Sequence, residues 1–275
     1  MTLRVLQIIP TLDRSGAEKQ LALLAARLPR DRFEVHVCAL TRGGPLEAGL
    51  RDADVPVTVI GKKWKVDPAA YFRLKSFIRR LEPDIVHTWL FAANSYGRQA
   101  ALAARVPKLI AAERCVDNWK AGYELAIDRY LARRTDRIVA NSSAVKEFYA
   151  KHGVAESKIV VIPNAVEPLA SNGPTREALL AEFGIPTEAH VVAAVGRLWP
   201  QKRVKDLIWA ADLLKSARGD VHLLVIGEGP QRWRLERFAR RDSTLCCDST
   251  PPSGWRHGAP SRNASHRRTG ASWNR

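Results

Sequence analysis

Arg197 and Lys202 lie in the run Gly196-Arg-Leu-Trp-Pro-Gln-Lys202, between an apolar strand-like stretch and a helical pattern. A guanidinium can grip two oxygens at once and an ammonium adds a point charge, so the pair suits a diphosphate. In a chain this basic, two cations on an exposed loop are also what chance supplies. Gly196 ends its strand. Gly227-Glu228-Gly-Pro230 ends the next one and either touches a nucleotide or only turns the chain. Near the N-terminus, Thr11-Leu-Asp-Arg-Ser-Gly-Ala-Glu18 leaves a strand and enters a helix whose first N–H groups are free. Gly16 there lets a ligand approach the backbone closely, or simply makes the turn. It is no dinucleotide fingerprint, since Gly-x-Gly-x-x-Gly is absent. His87 closes the apolar stretch Ile85-Val-His-Thr88. It is either a ligand-facing histidine or a buried, hydrogen-bonded one, and position alone does not separate the two.

These residues need a scaffold. Short apolar runs at 4–9, 33–40, 57–60, 85–88, 108–112, 137–140 and 158–162 alternate with helical patterns at 17–28, 68–81, 92–105, 119–133 and 143–152. Several runs are continuous rather than alternating, as in strands buried on both faces. Such a series predicts an α/β fold with a doubly wound parallel sheet, whose ligands bind at the carboxyl ends of the strands. After a Pro/Ser/Asn/Gly-rich stretch at 167–174, a second series begins: helix 175–183, strand 191–195, helix 204–217, strand 221–226 and helix 230–240.

The chain has 275 residues, with 44 Lys+Arg against 28 Asp+Glu, for a formal charge of +16. That length can bury a substantial core. No apolar run approaches the roughly 18–20 residues of a membrane span, and the N-terminus lacks a secretory pattern. A soluble, cytoplasmic protein is expected. Cys38, Cys115, Cys246 and Cys247 include no Cys-x-x-Cys and form no metal pattern. The last 34 residues, 242–275, contain no Ile, Val, Phe, Met, Tyr, Lys, Glu or Gln and cannot build a core. They read as a disordered tail, either one that replaces the natural continuation, most simply through a frameshift, or a genuine one.

Taken in order, the run from Gly196 to Lys202, Leu-Leu-Val-Ile-Gly227-Glu-Gly-Pro230, Ser15-Gly-Ala-Glu18, Pro83-Asp-Ile-Val-His-Thr88, Ile138-Val-Ala-Asn-Ser-Ser143 and Val161-Ile-Pro-Asn-Ala165 resemble the retaining group-1 (family 4) glycosyltransferases of the GT-B fold. The resemblance covers residues 2 to about 240. It implies a GT-B-like arrangement: an acceptor-side Rossmann-like domain at 1–168, complete, and a donor-binding Rossmann-like domain at 169–241, incomplete. It implies transfer of a sugar from a nucleotide-diphosphate sugar to a glycan or lipid-linked acceptor, as in cell-envelope polysaccharide synthesis. Arg197 and Lys202 would then stabilise the departing diphosphate as electrostatic catalysts. His87 would lie near the transferred sugar, and Gly16, Gly196, Gly227 and Glu228 would border the donor. No metal and no cofactor are implied.

One departure bears on activity. The family carries a Glu-x7-Glu element in its donor domain, and the last glutamate of this chain is Glu236. The donor half-site is therefore expected to be incomplete and transfer by this chain impaired or absent. The basic residues Arg73, Lys75, Arg79 and Arg80 flank an apolar helical face (Tyr71, Leu74, Phe77, Ile78, Leu81), just after Lys62-Lys-Trp-Lys65. This pattern suits peripheral contact with an anionic membrane as well as ordinary packing. Two alternatives stand beside the transferase: a non-catalytic basic protein binding an anionic surface, and a GT-B-type sugar-nucleotide epimerase. Aromatics do not interleave with the basic residues in a stacking pattern, so nucleic acid is not an expected partner.

Overall fold

The computed structural model describes residues 2–167 and 173–241; the tail read from the sequence at 242–275 lies outside them. The chain divides after residue 168 into two compact units. The first runs β1 (Leu3–Thr11), α1 (Gly16–Arg27), β2 (Phe33–Arg42), α2 (Glu47–Asp52), β3 (Val57–Val59), α3 (Pro68–Leu81), β4 (Ile85–Trp89), α4 (Leu90–Ala104), β5 (Lys108–Glu113), α5 (Gly122–Ala132), β6 (Arg137–Ala140), α6 (Ser143–Lys151) and β7 (Ile159–Val161). The second runs α7 (Arg176–Glu182), β8 (His190–Val195), α8 (Val204–Ala217), β9 (Val221–Ile226) and α9 (Arg232–Arg241).

The first unit holds one seven-stranded sheet in the order β3-β2-β1-β4-β5-β6-β7, every pair parallel. The chain builds outward from β1 to β3, then crosses back to lay β4 on the other side of β1. Order therefore reverses between β1 and β4, and the crevice at their carboxyl ends is where doubly wound sheets take ligands. Successive strand residues feed opposite faces. On β2, Cys38 and Leu40 join one core with Leu74, Ile78 and Ala100, while Val35, Val37 and Ala39 join another with Leu21, Leu50 and Trp89. Both faces being covered explains the continuous apolar runs in the sequence.

Helix α3 shows why a local sequence folds as it does. Asp67 caps it by accepting from the Ala70 amide (2.9 Å) and also from Lys63 (2.9 Å), and Pro68 follows at the first helical position. Leu74 and Ile78 are buried, with Tyr71, Phe77 and Leu81 packed beside them. Several elements differ from the sequence expectation. Helix α2 is an addition, six residues long and carried by one buried anchor, Leu50. Helix α5 begins at Gly122 rather than 119, because Glu124 reaches back to the Ala121 amide (2.9 Å) and Lys120 folds inward. Ile60 and Ile162 fall just outside their strands.

Among the described residues the second unit has two parallel strands, β8 and β9, and a small core of Leu198, Val204, Ile208, Leu235 and Ala239. Val195 remains 78% exposed on β8. Among the described residues no helix is long and apolar enough to cross a membrane.

Candidate functional site

The β1–α1 loop is pinned before it reaches its helix. Arg42, the last residue of β2, grips the Asp13 carboxylate through both terminal nitrogens (2.8 and 2.6 Å), and Thr11 Oγ1 donates to it (3.1 Å). The Leu46 amide donates to the Leu12 carbonyl (3.2 Å). A Cβ on Gly44 would stand 2.3 Å from that same carbonyl, so glycine is what lets the two loops meet. Gly16 is the first residue of α1, and a Cβ there would touch nothing within 4 Å. The space over this helix N-terminus is open.

Across the switch point, His87 pairs in register with Gln7 on β1 and Ile110 on β5. It is buried, and its Nε2 has no hydrogen-bond partner. Its burial fits the reading of a buried histidine, while Nε2 is left without a protein partner. Burial pushes its pKa down to about 3, helped by the charge of Arg114, so the ring is neutral. It lies 4.7 Å from the Trp89 ring, whose Nε1–H donates to Gln7 Oε1 (2.7 Å).

Behind this edge lies a charged cluster that sequence reading missed. The Lys120 ammonium sits against Asp128 Oδ2 (2.7 Å), Asp117 Oδ2 (2.8 Å) and the Tyr149 hydroxyl (2.6 Å). Arg98 donates to Asp128 Oδ1 (2.8 Å), and Tyr149 Oη lies 2.8 Å from Glu113 Oε2. All six residues are buried. Burial opposes the charge of Lys120, but Glu113, Asp128 and Asp117 together hold its pKa up. Burial drives Glu113 the other way, up to about 7, against the pull of Lys120. Two cations thus face three carboxyls, one of which keeps its proton into the neutral range. The cluster fastens residues 113–121 across the carboxyl edge. One signal was available in the sequence. Arg98 falls on the buried stripe of α4 with Asn94 and Ala101, and Asp128 on that of α5 with Glu124 and Leu131. A charge on an apolar stripe needs a buried partner.

In the second unit, the two loops that leave β8 and β9 are zipped together beyond the strands. The Gly196 amide donates to Ile226 (2.9 Å), Leu198 to Glu228 (2.9 Å) and Gln231 back to Leu198 (3.2 Å). A Cβ on Gly227 would lie 1.8 Å from the Gly196 carbonyl oxygen, so Gly227 serves this approach whatever else it does. Gly196 itself faces open space. Leu198 is buried and anchors the loop, leaving Arg197 and Lys202 exposed on it. The Arg197 guanidinium lies 5.6 Å from the Trp199 ring. Neither cation has an ion-pair partner among the described residues. Glu228 is paired with Arg232 (2.7 Å). Gly16 and His87 thus lie on elements that flank the β1/β4 switch point of the first unit, and Gly196, Arg197, Lys202, Gly227 and Glu228 lie on the two zipped loops of the second.

Residues 14–168 match the sequence model of Glycosyltransferase Family 4, and residues 175–242 that of Glycosyl transferases group 1. The chain belongs to glycosyltransferase family 4. The chain is 26% identical over 248 residues to a UDP-Gal:alpha-D-GlcNAc-diphosphoundecaprenol alpha-1,3-galactosyltransferase of Escherichia coli, covering 81% of this chain and 61% of that protein. It is 29% identical over 174 residues to a GDP-mannose-dependent alpha-mannosyltransferase of Mycobacterium tuberculosis, covering 60% of this chain and 44% of the relative. A crystal structure of Anabaena HepE in complex with UDP superposes with a TM-score of 0.73 at 20% identity, covering 88% of this chain and 67% of that one. The chain thus has the GT-B fold, and spans about three fifths of the length of the E. coli relative.

Proposed function

We propose that the chain binds a nucleoside-diphosphate sugar on the carboxyl edge of β8 and β9. Over the full length of its relatives, such a protein transfers that sugar to a glycan or lipid-linked acceptor held by the first unit. The observation that carries this reading is the pair of exposed cations, Arg197 and Lys202, on a loop fixed by buried Leu198 and by its hydrogen bonds to the β9 loop. Cleavage of a sugar–phosphate bond leaves negative charge on the diphosphate. Cations already in place stabilise it without reorganisation, in the role a divalent metal plays elsewhere. Gly196 leaves room for phosphate against the backbone. On the first unit, Gly16 opens a helix N-terminus, and neutral His87 can hydrogen-bond a sugar hydroxyl.

The relatives support the substrate class: one acts from UDP-galactose on a diphospholipid-linked sugar, another depends on GDP-mannose, and the HepE structure holds UDP. Within residues 173–241, Glu228 and Glu236 stand at a Glu-x7-Glu spacing, but both carboxylates are paired with Arg232 (2.7 and 2.9 Å), so a donor hydroxyl would have to compete with that arginine. The basic side chains on the outside of α3 and the stretch Lys62–Lys65 add a peripheral contact with anionic membrane, on the cytoplasmic side where nucleotide sugars are found. No observation favours an epimerase.

Titration calorimetry with UDP tests the donor site. Heat is expected from the parent chain and not from the Arg197→Ala, Lys202→Ala double variant. No heat from the parent with UDP or GDP, or equal heat from both chains, overturns the reading.

A further inference from the structure

Tyr149 Oη has three polar neighbours in the buried cluster: Lys120 Nζ (2.6 Å), Asp117 Oδ2 (2.7 Å) and Glu113 Oε2 (2.8 Å). A phenol has one proton to donate and lone pairs to accept with. Lys120 donates to it. Its own proton goes to one of the two carboxyls. The contact with the other is a hydrogen bond only if that carboxyl brings a proton of its own.

The surroundings of the two carboxyls decide which one does. Asp117 Oδ2 also accepts from Lys120 (2.8 Å), and its Oδ1 accepts from Cys115 Sγ (2.7 Å) and Trp119 Nε1 (3.0 Å). Burial opposes the Asp117 charge, but Cys115, Lys120 and Tyr149 together hold its pKa down. Glu113 has fewer donors: Asn94 Nδ2 reaches Oε1 (2.8 Å), while Lys120 stays 3.9 Å from Oε2. The three Lys120 protons are already engaged, with Asp128 (2.7 Å), Asp117 and Tyr149. The extra proton therefore sits on Glu113 Oε2, which donates to Tyr149 Oη, and the Tyr149 proton goes to Asp117.

The charges agree. The groups facing Glu113 are Arg98 on α4, Cys115, Asp117 and Lys120 in the loop after β5, Asp128 on α5 and Tyr149 on α6. With Glu113 neutral, Arg98 and Lys120 balance Asp117 and Asp128. With Glu113 ionised, one negative charge is left unbalanced among side chains at most 5% exposed.

We infer that the Glu113 proton latches residues 114–121 onto the first unit and that its loss releases them. This stretch has no helix or strand of its own. Asp117 and Lys120 carry it into the interior. It holds Arg114 5.0 Å from the Trp89 ring centroid and Trp119 edge-on to Phe91. An ionised Glu113 and Asp117 would compete for the single Tyr149 proton, and Lys120 could turn to Glu113 only by leaving Asp117, Asp128 or Tyr149. The latch is built from the first unit alone and does not depend on Arg197 or Lys202.

Carbon NMR of the full chain labelled at the glutamate carboxyls reads the proton directly. One signal, absent from Glu113→Gln, is expected to titrate near pH 7, and the others in the ordinary carboxylate range or below. Hydrogen exchange reads the release. The Lys120 amide donates to the Asp117 carbonyl (2.9 Å). Its protection factor is expected to fall by roughly tenfold to a hundredfold between about pH 5 and pH 8 and then to level off. Low urea should leave it unchanged, since a local opening exposes little surface. Glu113→Gln, whose amide donates as the protonated acid does, keeps its protection level. A Glu113 signal in the ordinary range overturns the latch. So does a parent protection factor that stays level with pH, or one that follows urea as steeply as the β1 amides. Where Glu113→Gln disturbs the fold, Tyr149→Phe assigns the signal. It frees a Lys120 proton for Glu113 and moves that titration to lower pH, and a signal unmoved there overturns the latch. Neither measurement uses a nucleotide, so both stand apart from the donor site of the second unit.

Discussion

Single residues were legible in the sequence where a loop left an apolar strand. Gly16, His87 and the Arg197–Lys202 pair were found that way, because strand-to-helix turns mark themselves by composition. Arg114 and the Lys120 cluster were not, since they are held by residues on other elements, such as Arg98 with Asp128 and Glu113 with Tyr149, 30 and 36 positions apart. The cluster has a pH signature. The folded-state pKa of Glu113, about 7, lies above its ordinary value of 4.5, so the folded protein holds a proton that the unfolded chain releases. That contribution is complete below about 4.5 and is lost as pH rises through 7. His87 acts oppositely. Its folded pKa, about 3, lies below the ordinary 6.5, so its contribution is present above 6.5 and is lost as pH falls. The two overlap with opposite sign, and a raw stability profile would blur them. The difference between Glu113→Gln and the parent isolates the glutamate, since His87 is common to both. The urea midpoint of Glu113→Gln is expected to gain on the parent between about pH 5 and pH 8. A difference that stays flat across that range would mean Glu113 ionises normally.

At the scale of elements, the strand–helix series was readable because both sheet faces are covered and the apolar runs are continuous. The crossing that places β4 beside β1 rather than beside β3 was not written in any one run. It follows from the right-handed crossover rule and from which strands can bury both faces. Helix α2 escaped because six residues with one buried anchor make almost no periodic signal. Packing between elements turns on details that composition hides. Gly97 lies in the middle of α4, where glycine normally costs helix stability. A Cβ there would stand 2.7 Å from Thr88 Cγ2 and 3.2 Å from Ile8 Cδ1, both on fully buried side chains of the central strands. Gly97→Ala gains up to about 1 kcal/mol of helix propensity. It loses about 1–3 kcal/mol by overpacking, because strand side chains with no free surface cannot move aside. A net loss of about 1–2 kcal/mol is expected in urea unfolding of the first unit. A stabilised variant would show that α4 lifts from the sheet at little cost.

Over the whole molecule, the charge has a distribution as well as a sum. Five Arg and two Asp in the last 34 residues leave +13 of the +16 on residues 1–241, so the body itself is basic. Part of that excess stands beside exposed aromatics. Trp64 is 67% exposed, Lys65 bonds the hydroxyl of the exposed Tyr123 (3.0 Å), and Lys62 lies over the Tyr96 ring (4.9 Å). Tyr123 holds Lys65 more firmly charged. Helix α3 meanwhile packs its apolar face inward and leaves Lys75, Arg79 and Arg80 on the outside, so ordinary packing and a basic outer surface coexist on one element. Such a surface, aromatic rings with ammonium groups around them, matches the interface of an anionic bilayer, where rings settle at headgroup depth and each cation contributes about 1 kcal/mol. Replacing Lys62, Lys63 and Lys65 by Ser is then expected to lower partition into anionic phospholipid vesicles by roughly a hundredfold. Parent binding should fade as salt shortens the screening length. Vesicle pelleting measures both. Equal pelleting with neutral vesicles, or a parent and a triple variant that pellet alike, would mean that the basic excess serves the anionic substrates and not a membrane. The charge of residues 1–241 would then have to be sought at the strand edges, around Arg114, Arg197 and Lys202.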